Sequence, residues 1–453
     1  MTKLNKLFIL LAFFGLSIGT NAQTYNLGDI AVINNVIANN GLDWTPAPSD
    51  GSSVPSDWLN YLCQWSSGVV NKRIIFLNLS NNTLIGTLNL SGLDKLEVLY
   101  CRNNQLTALN VLGLGNLQTL YCEKNRLTTL DVSGLGKLWV LHCQENQLNE
   151  LNVSKGLNNL EYLCCDKNKL TILDVSKLSK LQTLYCNENL LTALEVSKLS
   201  NLQTLYCNKN KLPKLDVLAN SNLWALSCSD NQLTVLDILN LGNLEGIDCS
   251  NNQLTTLNMS GLDNLLTLKC SENQLTELEV SKFGNLRDVI CSDNRLTTLN
   301  VSGLDYLTLF ECYYNQLTAL DLTDINLTTF VGCAFQAPTL TLTGTDNDYS
   351  CAIALNNPSM LAVGLSYDNG VLTSKSNTIL SSPFVVGTGN PTYTLSGTLS
   401  LVYSLVSSIS EIKNTSAHPI GYYNILGAKL DKEPQSGIYI IVFDNGTTKK
   451  VMK

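Results

Sequence analysis

Cysteine is the residue whose number and spacing in this chain could support chemistry. Fifteen cysteines occur among 453 residues, and eleven of them recur every 21 residues, with one interval of 22 where Gly156 is inserted. Such a row of thiols is compatible with metal–thiolate sites, with stacked disulfides, or with small apolar side chains inside a core. The eleven are Cys101, Cys122, Cys143, Cys165, Cys186, Cys207, Cys228, Cys249, Cys270, Cys291 and Cys312.

Buried free thiols are the favoured interpretation of this Cys ladder. Free cysteine is among the most buried residue types, and identical positions in neighbouring repeats have parallel Cβ vectors, which suits disulfide geometry badly. Metal sites usually show C-x-x-C pairs, and none occurs in the sequence. Leu79 stands at the cysteine position of an earlier repeat, and leucine can replace a thiol in packing but not in ligation. We therefore expect reduced core residues.

The spacing reflects a repeat, L-x-x-L-x-C-x-x-N-x-L-T-x-L-D-V-S-x-L-x-x, with twelve clear copies and a degenerate thirteenth at Cys333. One copy cannot bury its apolar side alone, so neighbouring copies must stack. An asparagine follows each cysteine position by three residues, and its amide can satisfy backbone groups where the strand turns. This predicted structural Asn ladder is Asn82, Asn104, Asn125, Asn146, Asn168, Asn189, Asn210, Asn231, Asn252, Asn273, Asn294 and Asn315.

Aromatic residues recur on the opposite side of the predicted strands. Successive strand residues face opposite ways, so Leu99 and Cys101 point inward and Tyr100 points outward. The outward positions of the N-terminal half form an aromatic stripe, Tyr100, Tyr121, His142, Tyr162, Tyr185 and Tyr206, and Cys164 adds an outward thiol beside it. Such a row suits recognition of a protein or a glycan, although tyrosines can also stack only to stabilise a sheet.

A second polar row follows the second leucine pair of each repeat. Carboxylates could suggest calcium, but asparagine interrupts them and no glycine–aspartate nonapeptide accompanies them. We expect solvent-facing turn residues. The row is Asn110, Asp131, Asn152, Asp174, Glu195, Asp216, Asp237, Asn258, Glu279, Asn300 and Asp321.

The repeat resembles the leucine-rich repeat, and its cysteine and its length resemble the bacterial IRREKO-type subclass, over residues 74–335. The resemblance implies a right-handed solenoid, α/β-type but mostly β, with a parallel sheet on its concave face. Residues 23–73 resemble the N-terminal caps of such proteins. There the spacing predicts a helix over Asp29–Asn39 with Asp29 as its N-cap, followed by Trp44, Trp58 and Trp65. The usual second cap cysteine is missing, which puts a disulfide of Cys63 in doubt.

The two ends of the chain predict export. Residues 1–22 have the basic, apolar and small-residue regions of a signal peptide.

Residues 411–453 contain three apolar runs, Ile420 to Ile425, Ile438 to Phe443 and Lys449 to Lys453, with a hairpin signal at Asn445-Gly446. With its closing Lys449-Lys450-Val451-Met452-Lys453, this stretch resembles the C-terminal sorting domain of type IX secretion substrates of Gram-negative bacteria. That resemblance implies export across the outer membrane by the type IX machinery.

For the remaining segment, residues 338–410, the alternating runs Thr339–Thr343 and Tyr393–Val406 predict strands. We expect this segment to be a β-rich C-terminal cap or a small β domain. The solenoid itself is assigned to residues 74–337. Cys333 and Cys351 lie outside the regular ladder and could pair in a disulfide. No family motif marks this segment.

Composition narrows the function. A net charge of −8 and a pI near 4.9 argue against a nucleic-acid binder, and two histidines leave little material for zinc or Ser-His chemistry. We expect no enzyme, no cofactor, no metal and no transmembrane span in the mature chain. The sequence predicts a secreted or surface protein of a Gram-negative bacterium that binds a protein or glycan on its concave sheet. The alternatives are an architectural surface spacer and a glycan-binding accessory protein.

Overall fold

The structure is a computed structural model that describes residues 24–317, the backbone of the strand segments from 329 to 452 given below, and residue 432. Side chains are described to residue 317, apart from residues 60 and 61, and again at residues 430 and 432. None of the helices within these residues has the length and apolar character needed to cross a bilayer.

One α-helix, α1 (Leu27–Asn40), and one π-helical turn (Trp58–Leu62) precede a series of short strands. The strands are β1 (Cys63–Trp65), β2 (Ile74–Asn78), β3 (Ile85–Asn89), β4 (Val98–Tyr100), β5 (Gln105–Asn110), β6 (Thr119–Tyr121), β7 (Val140–His142), β8 (Tyr162–Cys164), β9 (Thr183–Tyr185), β10 (Thr204–Tyr206), β11 (Ala225–Ser227), β12 (Gly246–Asp248), β13 (Thr267–Lys269), β14 (Asp288–Ile290), β15 (Leu309–Glu311), β16 (Thr329–Gly332), β17 (Ala334–Phe335), β18 (Thr343–Thr345), β19 (Asp348–Ala352), β20 (Leu365–Asp368), β21 (Val371–Ser374), β22 (Ser381–Gly387), β23 (Thr394–Ser400), β24 (Pro419–Asn424), β25 (Lys429–Leu430), β26 (Ile438–Phe443) and β27 (Thr448–Met452).

The repeats build a 14-stranded sheet in the order β1-β2-β4-β6-β7-β8-β9-β10-β11-β12-β13-β14-β15-β16. β1 is antiparallel to β2. The strands from β2 onward are parallel, because each coil returns the chain to the same edge of the sheet. Identical repeat positions lie opposite each other, as in the pairing of Leu99 with Leu120. β3 and β5 form a separate two-stranded parallel sheet. The predicted parallel-strand, mostly β solenoid is therefore confirmed.

The core of the solenoid is a column of leucines and cysteines. The central leucine of β4, β6 and β9 is fully buried, while the residues on either side of it in the strand are not in the core cluster. Burial of each leucine on every coil supplies the main stabilising free energy, about 1.5 to 3 kcal/mol per side chain. The two residues that flank the central leucine are left to form the outward face of the sheet.

The Asn ladder lies where each strand ends. The Asn210 Nδ2 atom donates to the carbonyl oxygens of Cys186 and Cys207, both at 3.0 Å, and its Oδ1 atom accepts from the Leu191 N–H at 3.0 Å. The same three bonds recur from Asn125 to Asn315. Each amide therefore joins its own coil to the preceding one. Asn82 opens the ladder and donates only to the Ser80 carbonyl.

The residue before each ladder asparagine has a left-handed backbone, from Asn81 (φ 61°) to Tyr314 (φ 53°). This conformation is unfavourable for a residue with a Cβ, and glycine occupies none of these positions. The turn lets the asparagine side chain reach backwards into the coil. The amide hydrogen bonds offset the cost of the strained residue.

The N-terminal cap differs from the prediction at its first turn. α1 begins after Asn26, whose side chain accepts from the Asp29 N–H at 3.0 Å, so the assignment of Asp29 as N-cap is wrong. Asp29 is instead fully buried, forms an ion pair with Arg73 at 2.9 Å, and accepts from the Ile74 N–H at 2.7 Å. A buried carboxylate needs such partners, and it ties α1 to β2. Cys63 is buried and free, so the doubted cap disulfide is absent there.

The chain divides into two units. In the first unit, beyond the solenoid sheet, β17, β23 and β22 form one sheet, and β19, β21 and β20 form an antiparallel set. The second unit comprises Thr343–Thr345 and Ser404–Lys453. It contains an antiparallel sheet in the order β25-β24-β26-β27. β24, β26 and β27 coincide with the three predicted apolar runs, whereas the short strand β25 was not predicted.

The Asn ladder generates a stability prediction. Replacing Asn210 by alanine leaves the buried Leu191 N–H without its partner, while the Cys186 and Cys207 carbonyls each keep one amide donor, from Asn189 and Asn231. We therefore expect unfolding to become easier by about 2 kcal/mol. Asn222→Ala is the matched control, because that exposed side chain donates one bond, to the Ser200 carbonyl at 2.8 Å, and should cost less than about 1 kcal/mol. Urea unfolding followed by circular dichroism measures both. Equal losses in the two variants would show that the ladder is not a principal support.

Candidate recognition surface

The aromatic stripe is displayed by two parallel rows on the outward face of the sheet. Tyr100, Tyr121 and His142 lie opposite one another in successive strands. Cys164 continues this row and is followed by Tyr185 and Tyr206. Tyr162 belongs to the other row, where it pairs with Val140 and Thr183. The stripe therefore crosses from one row to the other at Tyr162. The Tyr162 ring takes the place of the ring that is missing at Cys164.

The rings of the stripe contact one another without a break. Centroid distances are 4.8 Å for Tyr100–Tyr121, 4.3 Å for Tyr121–His142 and 4.9 Å for His142–Tyr162. They are 5.6 Å for Tyr162–Tyr185 and 4.9 Å for Tyr185–Tyr206. Phe76, which the sequence analysis missed, extends the stripe by an edge-on contact with Tyr100 at 5.4 Å. Its place at the outward position of β2 was the signal that could have identified it.

The stripe is an uncharged surface at neutral pH. Its rings are half-buried against their neighbours. Burial, with a smaller contribution from the Arg102 charge, lowers the pKa of His142 to about 4, so this imidazole is neutral at pH 7. Burial also raises the pKa of Tyr121 and Tyr185. The stripe therefore contains no ionised group. A partner that covers these rings avoids the free-energy cost of removing water from a charge.

Cys164 lies on the outward face as predicted, but its thiol is not exposed. The side chain is 5% exposed, and its Sγ atom lies 3.7 Å from an Asp166 carboxylate oxygen. Burial and the neighbouring Asp166 charge raise the pKa of the Cys164 thiol. The thiol therefore faces outward but is covered, and its raised pKa disfavours a reactive thiolate.

Two carboxylates flank the stripe at the residue after the ladder cysteine. Glu123 has a side chain 7% exposed and pairs with Arg102 at 3.5 Å, and Asp166 accepts from the Asn187 N–H at 2.6 Å. Burial raises the pKa of both carboxyls. This row was not predicted from the sequence. Its members differ from coil to coil, so no repeated residue type marks it.

The Cys ladder forms part of the core. Cys101 through Cys291 are free and buried. The thiols of Cys122, Cys143 and Cys165 donate to carbonyls of the next coil at 3.4, 3.5 and 3.5 Å. Burial raises the pKa of Cys207 to about 12, which disfavours a reactive thiolate. Within the described residues, no group of three or more histidine, cysteine or acidic side chains could hold a metal ion.

Cys312, the last member of the ladder, is disulfide-bonded. The expectation of a reduced thiol is wrong at this position. Cβ vectors are parallel only where neighbouring coils are in register, and the pairing of β15 with β16 shifts register between Phe310 and Glu311. The partner of Cys312 is not among the other described side chains, whose cysteines are free. The proposed pairing of Cys333 with Cys351 lies outside the described side chains.

The second polar row caps turns. Asp131 accepts from the Ser133 N–H at 2.9 Å and Asp174 from the Ser176 N–H at 3.0 Å. These serine bonds lower the pKa of both carboxyls. Asp131 and Asp174 are exposed and bond within their own coils, whereas Asn110 donates to Asn89 of the preceding coil at 2.9 Å. Asp321 lies outside the described residues.

The buried His142 ring generates a pH prediction. Its pKa is lowered in the folded chain, so stability is fully present above the ordinary histidine pKa near 6.5 and is lost as pH falls toward 4. We expect the thermal midpoint to drop between pH 7.5 and pH 5, and the drop to shrink in His142→Phe, which keeps a ring in the stripe. Differential scanning calorimetry at the two pH values measures this. An identical drop in both chains would contradict the assignment.

Comparison with known proteins agrees with the repeat architecture. Residues 94–137 match a family model described as leucine-rich repeats in two copies, and no curated protein matches the sequence. The functional domain of InlJ from Listeria monocytogenes, described as including a cysteine ladder, is similar at 26% identity and a TM-score of 0.47, covering 74% of this chain and 93% of that one. A leucine-rich repeat protein of Leptospira interrogans is similar at 25% identity and a TM-score of 0.44, covering 55% and 72% of the two chains. The effector YopM of Yersinia pestis gives 23% identity and a TM-score of 0.45, covering 57% and 83%. The repeated sequence, the parallel-strand solenoid and the family model together show that this chain carries leucine-rich repeats.

Proposed function

We propose that this protein is a recognition module that binds a protein partner through the aromatic stripe. The observation that carries the proposal is the unbroken contact of seven rings from Phe76 to Tyr206 on one face of the sheet. A continuous aromatic surface of this kind is uncommon on a protein that binds nothing. Tyrosine offers a large contact area at low entropic cost.

The dimensions of the stripe favour a protein over a small molecule. Seven neighbouring strands carry it, from β2 to β10, and six strand spacings of about 4.8 Å give a length of about 29 Å. The surface is open and uncharged along this length, and charged side chains border it, such as Arg102, which is half exposed. An apolar centre with a charged rim is the usual anatomy of a protein interface.

The alternative is an architectural spacer, in which the rings stack only to stabilise neighbouring coils. Cross-strand aromatic pairs do contribute to sheet stability, so stacking by itself supports both functions. If the protein is only a spacer, affinity capture from host and bacterial surface extracts should return no partner above background.

Binding through the stripe can be tested by replacing three of its rings in a chain that still folds. The full chain with Tyr100, Tyr121 and Tyr185 changed to alanine should bind a captured surface partner at least a hundredfold more weakly, since buried aromatic anchors each contribute about 2 kcal/mol or more. Tyr306→Ala is the matched control, because that tyrosine is 65% exposed and lies outside the stripe. Biolayer interferometry gives the dissociation constants, and circular dichroism verifies the fold. Undiminished binding by a folded triple variant would refute the assignment of the site.

We also infer that the protein is exported to the outer surface or released, with residues 411–453 as the sorting signal. Support comes from the sequence of that segment and from its antiparallel strands β24, β26 and β27. Deletion of residues 411–453 in a Gram-negative host with type IX secretion should retain most of the protein inside the cell. Immunoblots of medium, outer membrane and periplasm measure the distribution, with the full chain as the reference. Equal surface exposure of the truncated chain would contradict this part of the proposal.

A further inference from the structure

The outward face changes character directly after the stripe. At the position that carries Tyr162, Thr183 and Thr204 in earlier coils, β11 has Ala225 and β12 has Gly246. A methyl group and a hydrogen thus replace larger side chains, and an open depression of about 390 Å³ lies at these positions. Tyr206, the last ring of the stripe, and Trp224 stand at its N-terminal side.

Gly246 is not required by the backbone. It lies within a strand, where glycine is unfavourable, its φ is not in the left-handed region, and a Cβ added there would meet no atom within 4 Å. Glycine inside a strand often marks a place where a ligand approaches closely. Gly246 therefore destabilises the strand, and its missing side chain leaves the bottom of the depression open.

The walls combine an aromatic face with both donors and acceptors. Trp224 is 45% exposed although it is a large apolar side chain. Glu245, Asp248 and Lys269 line the same depression, and none of the three forms an ion pair with a described residue. Two carboxylates and one ammonium group give this lining a net negative charge, which disfavours an anionic ligand and offers both hydrogen-bond acceptors and a donor to a neutral one.

A second depression of about 410 Å³ adjoins the first. Trp224 and Glu245 line both, and the second is completed by Gln203, Asn222 and Asn243. The side-chain amides of Asn222 and Asn243 donate to backbone carbonyls at 2.8 and 2.9 Å, which fixes them and leaves their Oδ1 atoms as acceptors. The exposed tryptophan therefore stands between two polar hollows.

We propose that these two depressions form a saccharide-binding site, with a pyranose ring against Trp224 and neighbouring sugar units over Gly246 and beside Asn222 and Asn243. Sugar hydroxyls donate and accept, which matches a mixed set of amides, carboxylates and one ammonium group. The C–H face of a pyranose fits the negative face of an indole ring. This site goes beyond the proposed protein-binding stripe, shares only Tyr206 with it, and does not depend on it.

The test uses the full chain against immobilised cellohexaose, chitohexaose and mannohexaose, with hexalysine as a cationic peptide probe. We expect at least one hexasaccharide to bind and both Trp224→Ala and Gly246→Leu to weaken that binding at least tenfold. Gly246→Leu fills the floor and removes no recognition group. Because its Cβ meets open space, this variant should remain folded by circular dichroism and thermal unfolding.

Two controls separate this site from the stripe. Trp139→Ala removes the tryptophan at the same repeat position of a different coil, and Tyr121→Ala removes a stripe ring; both should leave saccharide binding unchanged. The proposal is overturned if no hexasaccharide binds, if binding survives both site variants, or if hexalysine binds in place of the sugars. The last outcome would assign the depressions to a cationic side chain of a protein partner. Loss of protein binding in the Tyr121 variant with sugar binding intact supports two separate sites.

Discussion

The hydrogen bonds of the ladder asparagines are the interaction on which the rest of the structure depends. A strand of three residues must turn sharply after the cysteine, and the turn exposes carbonyls of two coils inside a core from which water is excluded. Each amide satisfies those carbonyls and accepts one N–H, as Asn210 does for Cys186, Cys207 and Leu191. The bond network holds neighbouring coils in the same register. Identical repeat positions consequently stack at the strand spacing.

Register determines what each row of side chains can do. The inward positions must be apolar side chains or thiols in every coil, because each is enclosed by its own coil and its neighbours. Most are leucine or cysteine, and Ile247, Val289 and Phe310 take the central position of β12, β14 and β15. The outward positions carry no such requirement, so they can differ along the molecule. They carry contacting rings from Phe76 to Tyr206, then small residues at Ala225 and Gly246, and then polar residues such as Lys269. The fold thus separates a constant interior from a surface that can specify partners.

The sequence predicted the features that repeat and missed those that depend on a single neighbour. The parallel sheet, the Asn ladder and the aromatic stripe follow from strand alternation and a fixed period. The left-handed residues were not foreseen, since residues such as Lys124 and Glu145 carry no local signal for positive φ. Asp29 was mistaken for an N-cap because its partner Arg73 is distant in sequence. The burial of Cys164 and the disulfide of Cys312, which directly follows the register shift between Phe310 and Glu311, were not predicted either, because neither feature repeats from coil to coil.

Hydroxyl-radical footprinting of the full chain, free and bound to its captured protein partner, measures whether the aromatic stripe is the surface that the partner covers. The account predicts that oxidation of Tyr100, Tyr121 and Tyr185 falls in the complex. Tyr306, which is 65% exposed and lies outside the stripe, should be oxidised equally in both states and serves as the internal reference. Protection confined to other surfaces, with unchanged oxidation of the stripe, would contradict the assignment of the outward sheet face as the recognition surface.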